Sequence, residues 1–120
     1  MCARKQFMRK QETLFLDDIL EAIEKIDAYK KGYSYQKFTS NSMMVDAILR
    51  NLEIIGEATK KIPADHKNAQ PQIPWKKIAG IRDILIHEYF GVNLEIIWDV
   101  VINKLPELKE AVKKIKSEKK

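Results

Sequence analysis

The chain has 120 residues, 45% of them apolar and 32% charged, with a formal net charge of +5. That length suits one domain with an ordinary core, and the charges are interspersed rather than blocked, which excludes wholesale disorder. Two histidines and one cysteine exclude a structural zinc cluster and an intrachain disulfide.

No apolar run reaches the length of a membrane span, and the amino end carries no signal-peptide core, so a soluble cytoplasmic protein is expected. The basic excess favours polyanionic partners, nucleic acid first. Much of it lies at the ends, in Arg4, Lys5, Arg9 and Lys10 and in Lys113, Lys114, Lys116, Lys119 and Lys120. Such ends are ordinarily flexible and solvated. The expected organisation is a single domain over residues 1–120 with its core between residues 10 and 116.

The periodicity is helical almost throughout. Leu14, Phe15, Leu16, Ile19, Leu20, Ile23 and Ile26 recur at three- and four-residue steps and predict a first amphipathic helix of about five turns. Lys30, Lys31 and Gly32 supply its stop, followed by a polar connection from Tyr33 to Thr39. Ser40 or Ser42 is placed to cap a second helix bearing Met44, Val45, Ile48, Leu49, Leu52, Ile55 and Ala58 on one face. Gly56 falls inside it, where glycine costs about 1 kcal/mol relative to alanine, so close approach of another helix or a ligand is expected there.

Pro63 ends that pattern, and residues 64–73 read as the longest loop, with His66 exposed within it. Pro74 suits the start of a third helix through Trp75 and Ile78, with Gly80 a point of interruption and Gly91 its close. Asn93 is placed to cap the next helix, carrying Leu94, Ile97, Trp98, Val101, Ile102 and Leu105, which Pro106 must break or kink. Leu108, Val112 and Ile115 continue an apolar stripe. The expected fold is an all-α bundle of four or five helices.

The chemistry concentrates in Arg82-Asp83-Ile84-Leu85-Ile86-His87-Glu88-Tyr89. Arginine grips phosphate as a planar fork of donors, and histidine titrates near neutral pH; together they suffice to cleave RNA without a metal. On an ideal helix Tyr89 shares a face with Arg82 about 10.5 Å away, whereas His87 lies about 140° round from Arg82. Either the two do unrelated jobs, or the helix is irregular near His87, or two copies packed about a two-fold axis bring both into one groove. The plainer alternatives are a half-buried histidine bonded to a carboxylate, a surface ion-pair cluster around Arg82, and Tyr89 as a core aromatic. His87-Glu88 begins like a zinc-protease motif, but Gly91 stands where the second ligand would be. No glycine-rich phosphate loop, serine nucleophile elbow or paired-carboxylate site is present, and no cofactor is implied.

The run also carries the R-x4-H-x-Y pattern. Around it stand Asp18 to Ile23, Asp46 to Leu52, Ile55-Gly56-Glu57-Ala58, Ile73-Pro74-Trp75, Gly80-Ile81-Arg82, Trp98 and Leu105-Pro106. From the first helix to Lys116 this ordered set resembles the HepT-like family of the HEPN superfamily, helical ribonucleases of prokaryotic toxin–antitoxin systems. The resemblance implies a HEPN bundle, a homodimer with a composite RNA-cleaving groove, and Arg82 and His87 as its catalytic pair. It places Asp83 where the superfamily favours a polar residue, and it maps Tyr89 onto the tyrosine that a cognate MntA-type nucleotidyltransferase antitoxin modifies with AMP. Glu57 is a candidate to orient Arg82 or His87. The competing expectation is a non-catalytic helical dimer that partners a nucleotidyltransferase and binds nucleotides or RNA without cutting.

Overall fold

The computed structural model describes the backbone of residues 2–87 and 92–118, and side chains within 13–85 and 92–117. Four long helices carry it: α1 (Cys2–Lys30), α3 (Ser42–Lys60), α5 (Trp75–His87) and α7 (Leu105–Glu118). Three short ones, α2 (Tyr35–Thr39), α4 (Ala64–Asn68) and α6 (Leu94–Asp99), fill the connections. No strand occurs among the described residues, so the expected all-α bundle holds.

Helix α3 is the hub, packed on α1 along one side and on α5 along the other, while α7 closes against α1. The apolar stripes meet as periodicity requires. Leu16, Ile19, Ile23 and Ile26 of α1 face Ile48, Leu52 and Ile55 of α3, with Leu108, Val112 and Ile115 of α7 completing one core. Removing all of these side chains from water is the main stabilising term, at roughly 1.5–3 kcal/mol each. An ion pair from Lys116 to Asp17 ties α7 back to α1 at the rim.

Local chemistry sets the boundaries. Gly32 adopts φ +78°, the left-handed conformation that stops α1 where expected. The cap of α3 is Asn41, not Ser40 or Ser42: its side chain accepts from the Met44 N–H at 3.1 Å. Ser40 instead donates to the Gln36 carbonyl at 2.8 Å, closing α2. The expected polar connection after Tyr33 contains that short helix because Phe38 is fully buried, stacked on Trp98 with centroids 4.9 Å apart.

The expected long loop likewise contains α4, and His66 is half-buried on it rather than exposed. This segment is clipped to the start of α5 by Trp75, whose indole N–H donates to the carbonyls of Lys67 and Gln70, each at 3.0 Å. Asn93 caps α6 as expected, accepting from Glu95 and Ile96.

Two expected interruptions are absorbed. Gly80 lies within an unbroken α5. Before Pro106 the chain widens into a π-helical turn, Val100–Lys104, with the Leu105 N–H reaching Val100 O. Proline has no N–H to give and clashes with the carbonyl four residues back; the wider turn accommodates both defects without ending the ladder.

Gly56 sits where α3 and α5 touch. A Cβ built there would stand 3.0 Å from both the Cβ and the backbone N of Arg82, and 3.2 Å from the Ile78 carbonyl oxygen. Backbone rather than a flexible side-chain end would have to move. Gly56→Val is therefore expected to lose roughly 2–3 kcal/mol by overpacking, about 4 °C of melting temperature per kcal/mol at this size. At Gly80 an added Cβ meets nothing within 4 Å. Gly80→Ala should gain about 0.5–1 kcal/mol from helix propensity. Thermal melts followed by circular dichroism of the two variants check both signs.

Candidate active site

The close approach at Gly56 fixes the root of Arg82. Its neighbours on α3 then determine what the guanidinium meets. Glu57 follows Gly56 directly, and Lys60 lies one turn on, so both project toward the same flank of α5. Arg82 Nε lies 3.6 Å from Glu57 Oε2, and Arg82 Nη1 lies 3.5 Å from Asp83 Oδ1. Lys60 Nζ donates to both carboxylate oxygens of Asp83, at 2.9 and 3.1 Å.

Two cations and two carboxylates thus alternate along one flank: Lys60, Asp83, Arg82, Glu57. The four side chains are between 34% and 52% exposed, so water screens the pairs and each contributes little to stability. Their effect is orientation. At 3.6 Å the Arg82–Glu57 contact is Coulombic and too long for a hydrogen bond; Nε is buried with no hydrogen-bond partner. Nε faces Glu57 and is closed to solvent, while the Arg82 side chain as a whole is 34% exposed; a guanidinium that solvent reaches beyond Nε is suited to an oxyanion.

Of the residues anticipated from sequence, Arg82, Asp83 and Glu57 are brought together. His87 is the last residue of α5, and its side chain lies outside the described residues. Helix α5 is helical throughout between Arg82 and His87. The irregularity that would turn both onto one face of a single chain therefore does not occur between them. Tyr89, Phe90 and Gly91 lie outside the described residues.

Lys60 was not anticipated. Its signal was available in its position four residues after Gly56, the contact glycine, which places it on the contacted face. Among the described residues no three His, Cys, Asp or Glu side chains converge as metal ligands, and no helix is long and apolar enough to cross a membrane.

Residues 19–115 match the family described as Ribonuclease HepT-like. Relatives agree. The protein named "Putative RNase MJ0127" of Methanocaldococcus jannaschii is 45% identical over 114 residues, covering 92% of this chain and 94% of that protein. "Putative RNase TTE0752" of Caldanaerobacter subterraneus subsp. tengcongensis is 45% identical over 101 residues, 84% of this chain and 90% of its own. "Probable ribonuclease HepT" of Thermococcus cleftensis is 40% identical over 109 residues, 91% and 99% of the two chains. No solved structure matches. With the family match spanning residues 19–115 and two of these relatives covered to 94% and 99% of their length, the chain belongs to the HepT-like ribonuclease family.

Proposed function

We propose that this protein is a metal-independent RNA endonuclease, the toxin of a type VII toxin–antitoxin system, acting through Arg82 and His87. The observation that carries the reading is Arg82 itself. It is rooted on a helix–helix contact, partly exposed and held by carboxylates at 3.5 and 3.6 Å, five residues before the histidine on the same helix, in a chain of this family.

The guanidinium would bind the scissile phosphate and stabilise the charge that grows on its oxygens. A neutral His87 takes the proton of the ribose 2′-hydroxyl. The 2′-oxygen attacks phosphorus, and the bond to the 5′-oxygen breaks. A protonated His87 gives its proton to that leaving oxygen, which leaves a 2′,3′-cyclic phosphate. Because one chain offers one His87, well round the helix from Arg82, two copies about a two-fold axis supply the base and the acid in a shared groove.

Asp83 and Glu57 hold the guanidinium plane, and Lys60 neutralises Asp83 so that Arg82 keeps its charge for the substrate. In this reading a nucleotidyltransferase antitoxin attaches AMP to Tyr89. The added bulk and negative charge then sit where an RNA phosphate must bind, which silences the groove.

Purified protein, its Tyr89 verified as unmodified by intact mass, should cleave RNA without added metal. Arg82→Ala and His87→Ala should each lower the rate by about a hundredfold or more, with the dimer still folded by light scattering and circular dichroism. Unmodified wild-type protein that binds RNA but never cuts it would instead establish the non-catalytic binding module.

The flanking charges make a second, separable expectation. Lys60→Met removes the ammonium that clasps Asp83 beside Arg82 and should raise KM about fivefold, the equivalent of roughly 1 kcal/mol for an exposed pair, with kcat little changed. Lys60→Arg should restore KM. A Lys60→Met enzyme with an unaltered KM would remove Lys60 from the site.

A further inference from the structure

Beyond the Arg82 flank, α1 and α3 enclose a cleft of about 160 Å³ lined by Phe15, Asp18, Ile54, Glu57, Ala58 and Lys61. For scale, an apolar cavity of about 150 Å³ accommodates a benzene ring. One wall is the Phe15 ring, over which the Lys61 ammonium rests 5.3 Å from the centroid. Ile54 and Ala58 supply apolar floor. The rim carries two acceptor-only groups, Asp18 and Glu57, and one donor-only group, Lys61. Among the described residues Asp18 makes no ion pair. Glu57 is the same carboxylate that lies 3.6 Å from Arg82 Nε, so the cleft and the phosphate-binding arginine share a wall.

We propose that this cleft is a base-recognition subsite for guanine in RNA, seating a nucleotide next to the cleaved phosphate. The proposal rests on the ribonuclease reading for its connection to cleavage, though not for binding itself.

The chemistry selects the base. A planar base stacks on an aromatic ring with any sequence, so Phe15 supplies affinity. Selection comes from the edge. Guanine alone among the four bases presents two adjacent N–H donors beside a carbonyl acceptor on its pairing edge. Two carboxylates accept from those donors, and a lysine donates to the O6 acceptor. Uracil and cytosine offer at most one donor group on that edge, and adenine offers its amino group beside an acceptor that would face a carboxylate.

As the base stacks it takes the place of the Lys61 ammonium on the ring. The long, exposed side chain moves to the base edge. Glu57, turning toward the base, leaves the guanidinium of Arg82 to the phosphate.

The test uses the full-length His87→Ala protein, so that bound RNA stays whole. Fluorescence anisotropy follows its binding to short uridine oligomers containing one guanosine, one inosine, one adenosine or none. Guanosine should bind about tenfold or more tighter than inosine, which lacks the 2-amino group, and tighter than adenosine. Asp18→Ala, which removes the acceptor, should in this background erase the difference between guanosine and inosine while retaining affinity for the plain uridine oligomer. Phe15→Leu should weaken all oligomers about tenfold with the guanosine preference kept, its fold checked by thermal melt.

Equal binding of guanosine and inosine overturns the proposal. So does a guanosine preference that Asp18→Ala leaves intact. Because these are binding measurements, a guanosine preference that depends on Asp18 supports the subsite even if the wild-type protein proves unable to cut RNA. Loss of the preference in an active enzyme removes the subsite and leaves the ribonuclease reading standing.

Discussion

The approach of α5 to α3 at Gly56 is the constraint on which the rest of the site depends. Helices ordinarily pack about 8–10 Å apart, with side chains between them. Here a missing Cβ lets the backbone of Arg82 rest against α3, with 3.0 Å left for any added atom. The arginine therefore begins its reach from a fixed point. A free arginine side chain carries about 2 kcal/mol of rotamer entropy, and pinning its first atoms removes part of that loss before any ligand arrives. The helix cost of a buried glycine is offset by this placement rather than by stability.

Glu57 and Lys60 inherit their positions from the same contact, being the next residue and the next turn of α3. Their exposure means that none of the ion pairs holds the fold together. What they set is the local field. The chain as a whole is positive, yet the two cations and two carboxylates of this flank cancel. Any long-range attraction of a polyanion would thus have to come from the wider surface and would fade with salt. Affinity at the arginine itself depends on short-range geometry. A neutral, pre-oriented flank favours a ligand that brings charge to one point over any diffuse anion.

Much of this was legible in the residues, for uneven reasons. The long helices were readable because a buried stripe forces apolar residues to recur at helical steps. Gly56 could be recognised as a contact because glycine in a helix interior needs a reason. Arg82, Asp83 and Glu57 followed from motif and resemblance. The five-residue helices α2 and α4 were not legible, since one apolar anchor such as Phe38, or none in α4, leaves no period to read. Pro106 was read correctly as a defect but not as a π-helical turn, because the relief lies in the five residues before it. Lys60 and the α1–α3 cleft were missed for a common reason. Both depend on which faces of separate helices meet, and the Lys60–Asp83 pair spans 23 positions that no local pattern connects.

The position of Glu57 between the arginine and the cleft raises the question of why a group proposed to bind phosphate should be flanked by a carboxylate at all. A carboxylate that held Arg82 firmly would only weaken substrate. At 3.6 Å, half-exposed and without a hydrogen bond, Glu57 holds it loosely. Of the two carboxylates it is also the one that, among the described residues, makes no ion pair with a lysine, whereas Asp83 is clasped by Lys60. Displacing Glu57 therefore costs little, and a ligand that gives it a better partner makes the displacement favourable. A base donating to Glu57 would do so while delivering its own phosphate toward the vacated edge of Arg82. Binding energy from a part of the substrate that does not react would then be used to ready the group that does, which is how remote contacts come to raise turnover rather than affinity alone. A loosely held carboxylate is the form such coupling requires, because one bound tightly to either side could not be shared between them.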